Sequence, residues 1–297
     1  GNITTSVRSV LVGGLAGSAL TSGSDNVAVG HSALSTENTG QKNTAVGSYA
    51  LAALDFNGDG NNTAIGFNAG LSVSSGVDNT LIGARAGDAL TIGNNNIALG
   101  RSALSTSVDG DHNTAIGVYA LEDYEDGDGD GFNTAVGSQS QAQATTGQFN
   151  TSLGALSMGA GITTGDRNTA LGYRAGDKIT SGANNTIIGA DAGDEILTGS
   201  DNTVLGKGAM ANADGAESRN VAIGVNALAD MDQEVNNNNV AVGYAAASNL
   251  STGVQNTVVG GNAMGIGITT GNDNVVMGYV AGEDLTSGHD SVLIGSG

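Results

Sequence analysis

The chain has no cysteine, no proline and no tryptophan, and aromatic residues make up only 3% of its 297 residues. Without cysteine, disulfides contribute nothing to its stability. Without proline, nearly every strand can have a neighbour on both sides, because proline cannot donate to a β-ladder. With so few aromatics and 50 glycines, a conventional compact core would be poorly filled. A stack of short units needs less, since each unit packs chiefly on its neighbours.

Basic residues are also scarce, with nine Lys and Arg against 29 Asp and Glu and a formal net charge of −20. Nucleic acids and anionic membranes attract clustered Lys and Arg, so neither is expected as the main partner. No stretch approaches the ~20 unbroken apolar residues of a membrane span, and we expect no membrane insertion. The apolar run 10–20 resembles part of a signal peptide, but its residues lie in register with the first repeat described next.

A five-residue cassette, seen in the sequence NTAVG from Asn43 to Gly47, returns down the whole chain. Of the 16 spacings between its copies, ten are 17 residues, three are 18, two are 19 and one is 20. A fixed period with small insertions is the signature of a stacked repeat architecture. The 17 copies begin at Ser9, Asn26, Asn43, Asn62, Asn79, Asn96, Asn113, Asn133, Asn150, Asn168, Asn185, Asn202, Asn220, Asn239, Asn256, Asn274 and Ser291.

The columns of the cassette predict its conformation. Its fifth position is Gly in every copy, which predicts a corner or tight contact, because glycine reaches positive φ freely and lets another segment approach closely. The second position is always β-branched and the fourth is aliphatic, and in a strand these two share a face. We interpret that face as the buried one. The third position, mostly Ala, faces the other way. Because it is seldom polar, we expect a neighbouring subunit to cover it.

Two further columns complete the pattern. The first position is Asn in 15 copies, and we interpret it as a structural ladder, in which each side chain bonds its neighbour or caps the turn, rather than as a row of ligand-binding amides. The eighth position is Ala in 14 of its 16 complete copies, which would let two layers come close.

We therefore predict an all-β protein, a parallel β-solenoid or β-roll of about 17 coils with one 17-residue repeat per coil. Residues 1–8 would be the end of a preceding coil, and residues 9–297 a single repeat domain whose last repeat is truncated. Because that last coil would present an open edge, we expect the natural protein to continue beyond Gly297.

The cassette with its flanks, Asn-Thr-Ala-Val/Ile/Leu-Gly-x-x-Ala-Leu/Gly, stands at residues 43–51 and 168–176. It resembles repeats in the shafts of phage tail fibres and bacterial surface fibres, which often end in an intramolecular chaperone domain of the endosialidase type. It is also similar to the head repeats of trimeric autotransporter adhesins, which form parallel β-rolls. The resemblance covers residues 9–297 and implies a homotrimeric, extracellular fibre used for attachment, on a bacterial surface or a virion.

The longest repeats carry oxygen ligands at alternate positions, as calcium loops do. The candidates are Asp126, Asp128 and Asp130, and then Asp55, Asn57 and Asp59. The glutamate that completes an EF-hand is missing, so a solvated acidic turn is the alternative. A weaker candidate loop begins at Asp230.

Catalysis has little support. His31, His112 and His289 do not recur in one column and there is no cysteine, so we expect no metal cluster, no catalytic triad and no enzyme activity. The expected function is a structural, fibre-forming segment that spaces a binding domain from its base. The first alternative is an adhesin that binds a cell-surface glycan or protein receptor through variable residues after the glycine: Tyr49, Phe67, Arg85, Tyr119 and Tyr173. A lesser alternative is an ice-binding solenoid that uses the Thr column, which burial of that column would disfavour.

Overall fold

The structure, a computed structural model, describes residues 8–125, 130–213, 215–231, 237–265 and 269–297. Its regular secondary structure there consists of three-residue strands, each formed by the second to fourth positions of one cassette. The strands are β1 (Val10–Val12), β2 (Val27–Val29), β3 (Thr44–Val46), β4 (Thr63–Ile65), β5 (Thr80–Ile82), β6 (Ile97–Leu99), β7 (Thr114–Ile116), β8 (Thr134–Val136), β9 (Thr151–Leu153), β10 (Thr169–Leu171), β11 (Thr186–Ile188), β12 (Thr203–Leu205), β13 (Val221–Ile223), β14 (Val240–Val242), β15 (Thr257–Val259), β16 (Val275–Met277) and β17 (Val292–Ile294).

The predicted all-β parallel solenoid with one repeat per coil is confirmed. The chain divides into two compact units, residues 1–149 and 150–297. The first holds β1 to β8 and the second β9 to β17, and within each unit every strand pairs in parallel with the next. The assignment of residues 9–297 to a single domain stays a prediction, as does that of residues 1–8 to an earlier coil.

The strand register places each cassette position over the same position of the next coil. Thr44 pairs with Thr63 although 19 residues separate their cassettes, and Thr114 pairs with Thr134 across the 20-residue spacing. The extra residues therefore lie in the turn before the cassette and leave the sheet undisturbed.

The prediction of which face is buried is wrong. The third position is buried in every strand from β2 to β16, whereas the second and fourth are half-buried or exposed in all 17 strands. The third side chain packs between the strand and the turns opposite it, and it is buried whether it is small, as Ala45, or large, as Leu81 and Ile187. Thr and the aliphatic residues consequently line the outer face of the sheet.

Each unit has one hydrophobic core along its interior. Four positions of the repeat supply it: the third, the eighth, the ninth and the twelfth. In the coil of β3 these are Ala45, Ala50, Leu51 and Leu54, all fully buried. The small eighth residue lets the turn approach the strand closely, as the Ala column predicts.

The Asn column forms the predicted ladder. Asn79 is buried, its Oδ1 accepts the backbone N–H of Asn96 at 3.0 Å, and its Nδ2 donates to the Gly93 carbonyl at 2.8 Å. The same bonds recur from coil to coil in both units. An unpaired buried polar group costs about 1–3 kcal/mol. By hydrogen bonding to the backbone of the turns, which do not belong to a β-sheet, the Asn side chains therefore stabilise these turns.

The predicted role of the cassette glycine is also confirmed. All 17 have φ between +134° and +150°. In the first unit, a Cβ on any of them up to Gly117 would overlap the carbonyl of the next glycine in the column, and the same holds from Gly154 to Gly278 in the second. The column thus forms a line of close backbone contacts at one corner of the coil.

Candidate functional site

The outer face of the strands is a regular feature of the surface in each unit. It carries two ranks per unit, one of Thr and Val at the second position and one of Val, Ile, Leu and Met at the fourth. Exposed members include Ile65, Ile97, Leu99, Leu153 and Met277. Neither rank bears a charge, although the chain as a whole carries −20. Scattered surface hydrophobics are ordinary, but a contiguous apolar patch indicates an interaction site.

The predicted calcium loops are placed only in part. Asp126 and Asp128 lie outside the described residues, as do residues 232–236 of the loop after Asp230. In the loop 55–59, Asp59 forms a salt bridge with Lys42 at 2.6 Å, and Asn57 Oδ1 accepts a hydrogen bond from the Thr39 hydroxyl at 3.2 Å. Calcium binding at both loops stays a prediction.

Asp130, by contrast, has neighbours that the sequence reasoning missed. His112 Nδ1 lies 3.1 Å from Asp130 Oδ1, and with Asp111 the three residues place ligand atoms within 4.8 Å of one another. Asp111 and Asp130 form a parallel bridge between adjacent coils, which explains the juxtaposition. The backbone N–H of Asn94 donates to Asp111 Oδ1, so one oxygen of the set already has a partner.

The residues after the glycine corner form a second feature, at the edge of the coil. The backbone N–H of Arg85 donates to the Phe67 carbonyl at 2.9 Å, and that of Tyr119 to the Arg101 carbonyl at 3.0 Å. These bonds hold the corners of successive coils at strand spacing. Side chains from four coils enclose a groove of ≈ 300 Å³, which we call the corner groove; it is lined by Phe67, Ala84, Arg85, Arg101, Ser102, Tyr119 and Glu122.

The corner groove unites three of the five residues named for the adhesin alternative: Phe67, Arg85 and Tyr119. Tyr49 lies instead edge-on to His31, with ring centroids 5.2 Å apart. Tyr173 is exposed in the second unit. Sequence reasoning missed Arg101, whose guanidinium carbon lies 4.5 Å from the Tyr119 ring centroid. The signal was present, since Arg101 directly follows a cassette glycine.

Charge is arranged differently in the second unit. Arg174 lies 3.0 Å from Asp194 and 3.3 Å from Asp177, two buried carboxylates on adjacent coils, and 3.8 Å from Asp191. Burial raises the pKa of Asp194, while Arg174 acts to lower it. Because three carboxylates surround it, Arg174 has a structural role and is a poor candidate for ligand binding.

No protein-family model matches the chain, and no curated protein matches it. Among the described residues, no helix combines the length and apolar character that a membrane crossing requires.

Proposed function

We propose that this chain is a non-catalytic, fibre-forming repeat segment that associates with two copies of itself through the outer face of its strands. It would space a binding domain from its base, as part of an extracellular fibre on a bacterial surface or a virion. Repeated coils suit this purpose, because each contacts only its neighbours and more can be added without a new core.

The observation that carries the proposal is the outward direction of the second and fourth positions. In one chain Ile97 is 43% exposed and Leu99 40% exposed, although both are large and apolar. Burial of apolar surface contributes about 25 cal/mol per Å², so an uncharged apolar rank repeated in every coil strongly favours self-association. A symmetric homotrimer would bury the same face of all three chains.

A paired substitution tests this proposal. Ile97→Lys with Leu99→Lys places two charges on the face, whereas Ile92→Lys with Val108→Lys places the same charges on exposed turn residues. We expect the face variant to dissociate to a lower mass by light scattering and the turn variant to keep the wild-type mass. Equal masses for wild type and face variant would refute an interface at this face.

Ice binding is the lesser alternative that the sequence raises, and one observation favours it. The Thr residues lie on the outer face of the strands at strand spacing. Burial of the Thr column would argue against ice binding, and the column does not lie in the core. Regular hydroxyls beside apolar side chains can order water on a flat surface. Thermal hysteresis that the Thr80→Lys variant loses would support it. If the protein gives no hysteresis, or if association covers the face, ice binding is excluded.

A further inference from the structure

The corner groove contains two cations without ion-pair partners. Among the described residues, Arg8, Lys42, Arg174 and Lys178 each lie within 4.0 Å of a carboxylate. Arg85 and Arg101 form no such pair in that part of the chain, although acidic residues outnumber basic ones 29 to 9. The carboxylates of Asp88 and Glu122 interact with Arg85 and Arg101 at longer range, so the two exposed guanidinium groups on adjacent coils form a cationic pair with acidic groups nearby.

Aromatic rings flank these cations. Phe67 is 52% exposed and lines the groove on the coil before Arg85. Tyr119 lines it on the coil after Arg101, and its ring holds the Arg101 guanidinium by a cation–π contact. Such contacts fix the direction of an arginine that would otherwise be mobile. The exposed ring of Phe67 offers an apolar surface for the C–H face of a sugar ring.

Polar groups complete the lining. Ser102 is a hydroxyl donor and acceptor, and Glu122 is a carboxylate acceptor, both suited to sugar hydroxyls. The ≈ 300 Å³ volume is at the lower end of the roughly 300–1,000 Å³ of small-molecule sites, so it suits one or two rings. The backbone bonds between coils hold the lining residues in place before any ligand arrives.

We propose that the corner groove binds a saccharide that carries a carboxylate, such as a uronic acid. Arg85 and Arg101 bind the carboxylate, since guanidinium groups match its two oxygens with paired charge-assisted hydrogen bonds. Phe67 stacks on the sugar ring, and Ser102 and Glu122 bond its hydroxyls. The net charge of −20 disfavours acidic glycans over most of the surface, so their binding depends on a local pair of cations such as Arg85 and Arg101.

Calorimetric titration of the full chain tests the proposal, with a hyaluronan tetrasaccharide as the carboxylated probe. Neutral chitotetraose and a sulfated, carboxylate-free carrageenan tetrasaccharide serve as comparison probes. We expect binding of the first, with the neutral probe at least 10-fold weaker. Failure of the carboxylated probe to bind, equal binding of chitotetraose, or preference for the sulfated probe would each overturn the assignment.

Matched variants locate the site. Arg85→Gln with Arg101→Gln is expected to weaken binding at least 10-fold, and Phe67→Ala about 5- to 10-fold. Lys207→Gln with Arg219→Gln removes the same two charges from exposed positions in the second unit, and Tyr244→Ala removes an exposed corner aromatic there. Both controls are expected to bind as wild type. If the arginine double variant binds unchanged, the groove is not the site. The mass of the protein does not enter this result, so the trimer and the groove can fail separately.

Discussion

The cassette glycine forms one corner of each coil. Gly260 has φ +141°, and a Cβ there would overlap the Gly278 carbonyl, so both conformation and space exclude a side chain. Its neighbour Gly261 is different: a Cβ there would lie 3.5 Å from a Tyr279 ring carbon, an ordinary contact.

We predict that Gly260→Ala lowers the free energy of unfolding by about 2–4 kcal/mol, from backbone strain and overpacking together. Gly261→Ala is the matched control and should change it by less than about 0.5 kcal/mol. Thermal unfolding followed by circular dichroism measures both. Similar melting shifts for the two variants would contradict the line of backbone contacts.

Glu37 is a fully buried carboxyl whose oxygens accept the backbone N–H groups of Gly40 at 2.5 Å and Thr39 at 3.1 Å. Burial raises its pKa, and its backbone hydrogen bonds lower it in part. A raised pKa in the folded state means that the stability it confers is complete below the unfolded pKa. That contribution is lost as pH rises through the folded pKa.

When the pH is lowered from 7 to 5, Glu37 should therefore add a gain to the melting temperature of the wild type. Glu37→Gln should gain less over the same range, because it lacks the titrating group. The other carboxylates are common to both proteins, so the difference between the two slopes isolates Glu37. Identical slopes would show that Glu37 does not titrate differently on folding.

In several coils, the third and ninth positions combine one large and one small side chain. Ala45 is combined with Leu51 and Ala98 with Leu104, whereas Leu81 is combined with Gly87. A Cβ on Gly87 would lie 2.9 Å from Leu81 Cδ2, which shows that the leucine fills the space from the strand side. In these coils one large side chain fills the shared space, and it comes either from the strand or from the turn.

Because the large side chain can come from the strand or from the turn, we predict that a double variant at positions 81 and 87 compensates. Leu81→Ala should cost about 2–5 kcal/mol by leaving a cavity, and Gly87→Leu about 1–3 kcal/mol by overpacking. The double variant rebuilds the Ala and Leu combination of other coils, so its cost should fall at least about 1 kcal/mol below the sum of the two. Leu is compatible with the backbone, since Leu51 has φ +48° where Gly87 has +56°. Additive costs would contradict the shared volume.

The period, the register, the Asn ladder and the glycine corner could all be predicted from the sequence, because each is a demand that every copy repeats. The direction of the strand faces could not. Alternation shows that Thr44 and Val46 share a face, but the usual rule assigns the more apolar face to the core. In this chain that rule misleads, because the larger side chains of Thr44 and Val46 lie on the outer face and the small Ala45 is the core residue.

The corner groove was predictable only in part. Phe67, Arg85 and Tyr119 stand out as variable residues after the glycine, but their distances depend on how coils align. The sequence also did not predict that ordinary side chains such as Tyr49, Arg85 and Val280 adopt φ near +60° at the turn. Closing a coil in so few residues requires this conformation whatever the side chain.

At the scale of the whole molecule, self-association must overcome charge repulsion. Each chain carries −20, so a trimer would carry three times that charge. Salt screens the repulsion between exposed charges with a Debye length of about 8 Å at 0.15 M. The apolar ranks are unaffected by that screening, so the assembly should be more stable at physiological salt than at low salt.

Multi-angle light scattering of the wild-type chain in 0.15 M salt, over a range of concentrations, measures whether three chains associate through the outer face of their strands. We predict a mass of three times the 29.0 kDa of one chain. A mass of 29.0 kDa at every concentration would contradict it, because the outer face of the strands would then face solvent.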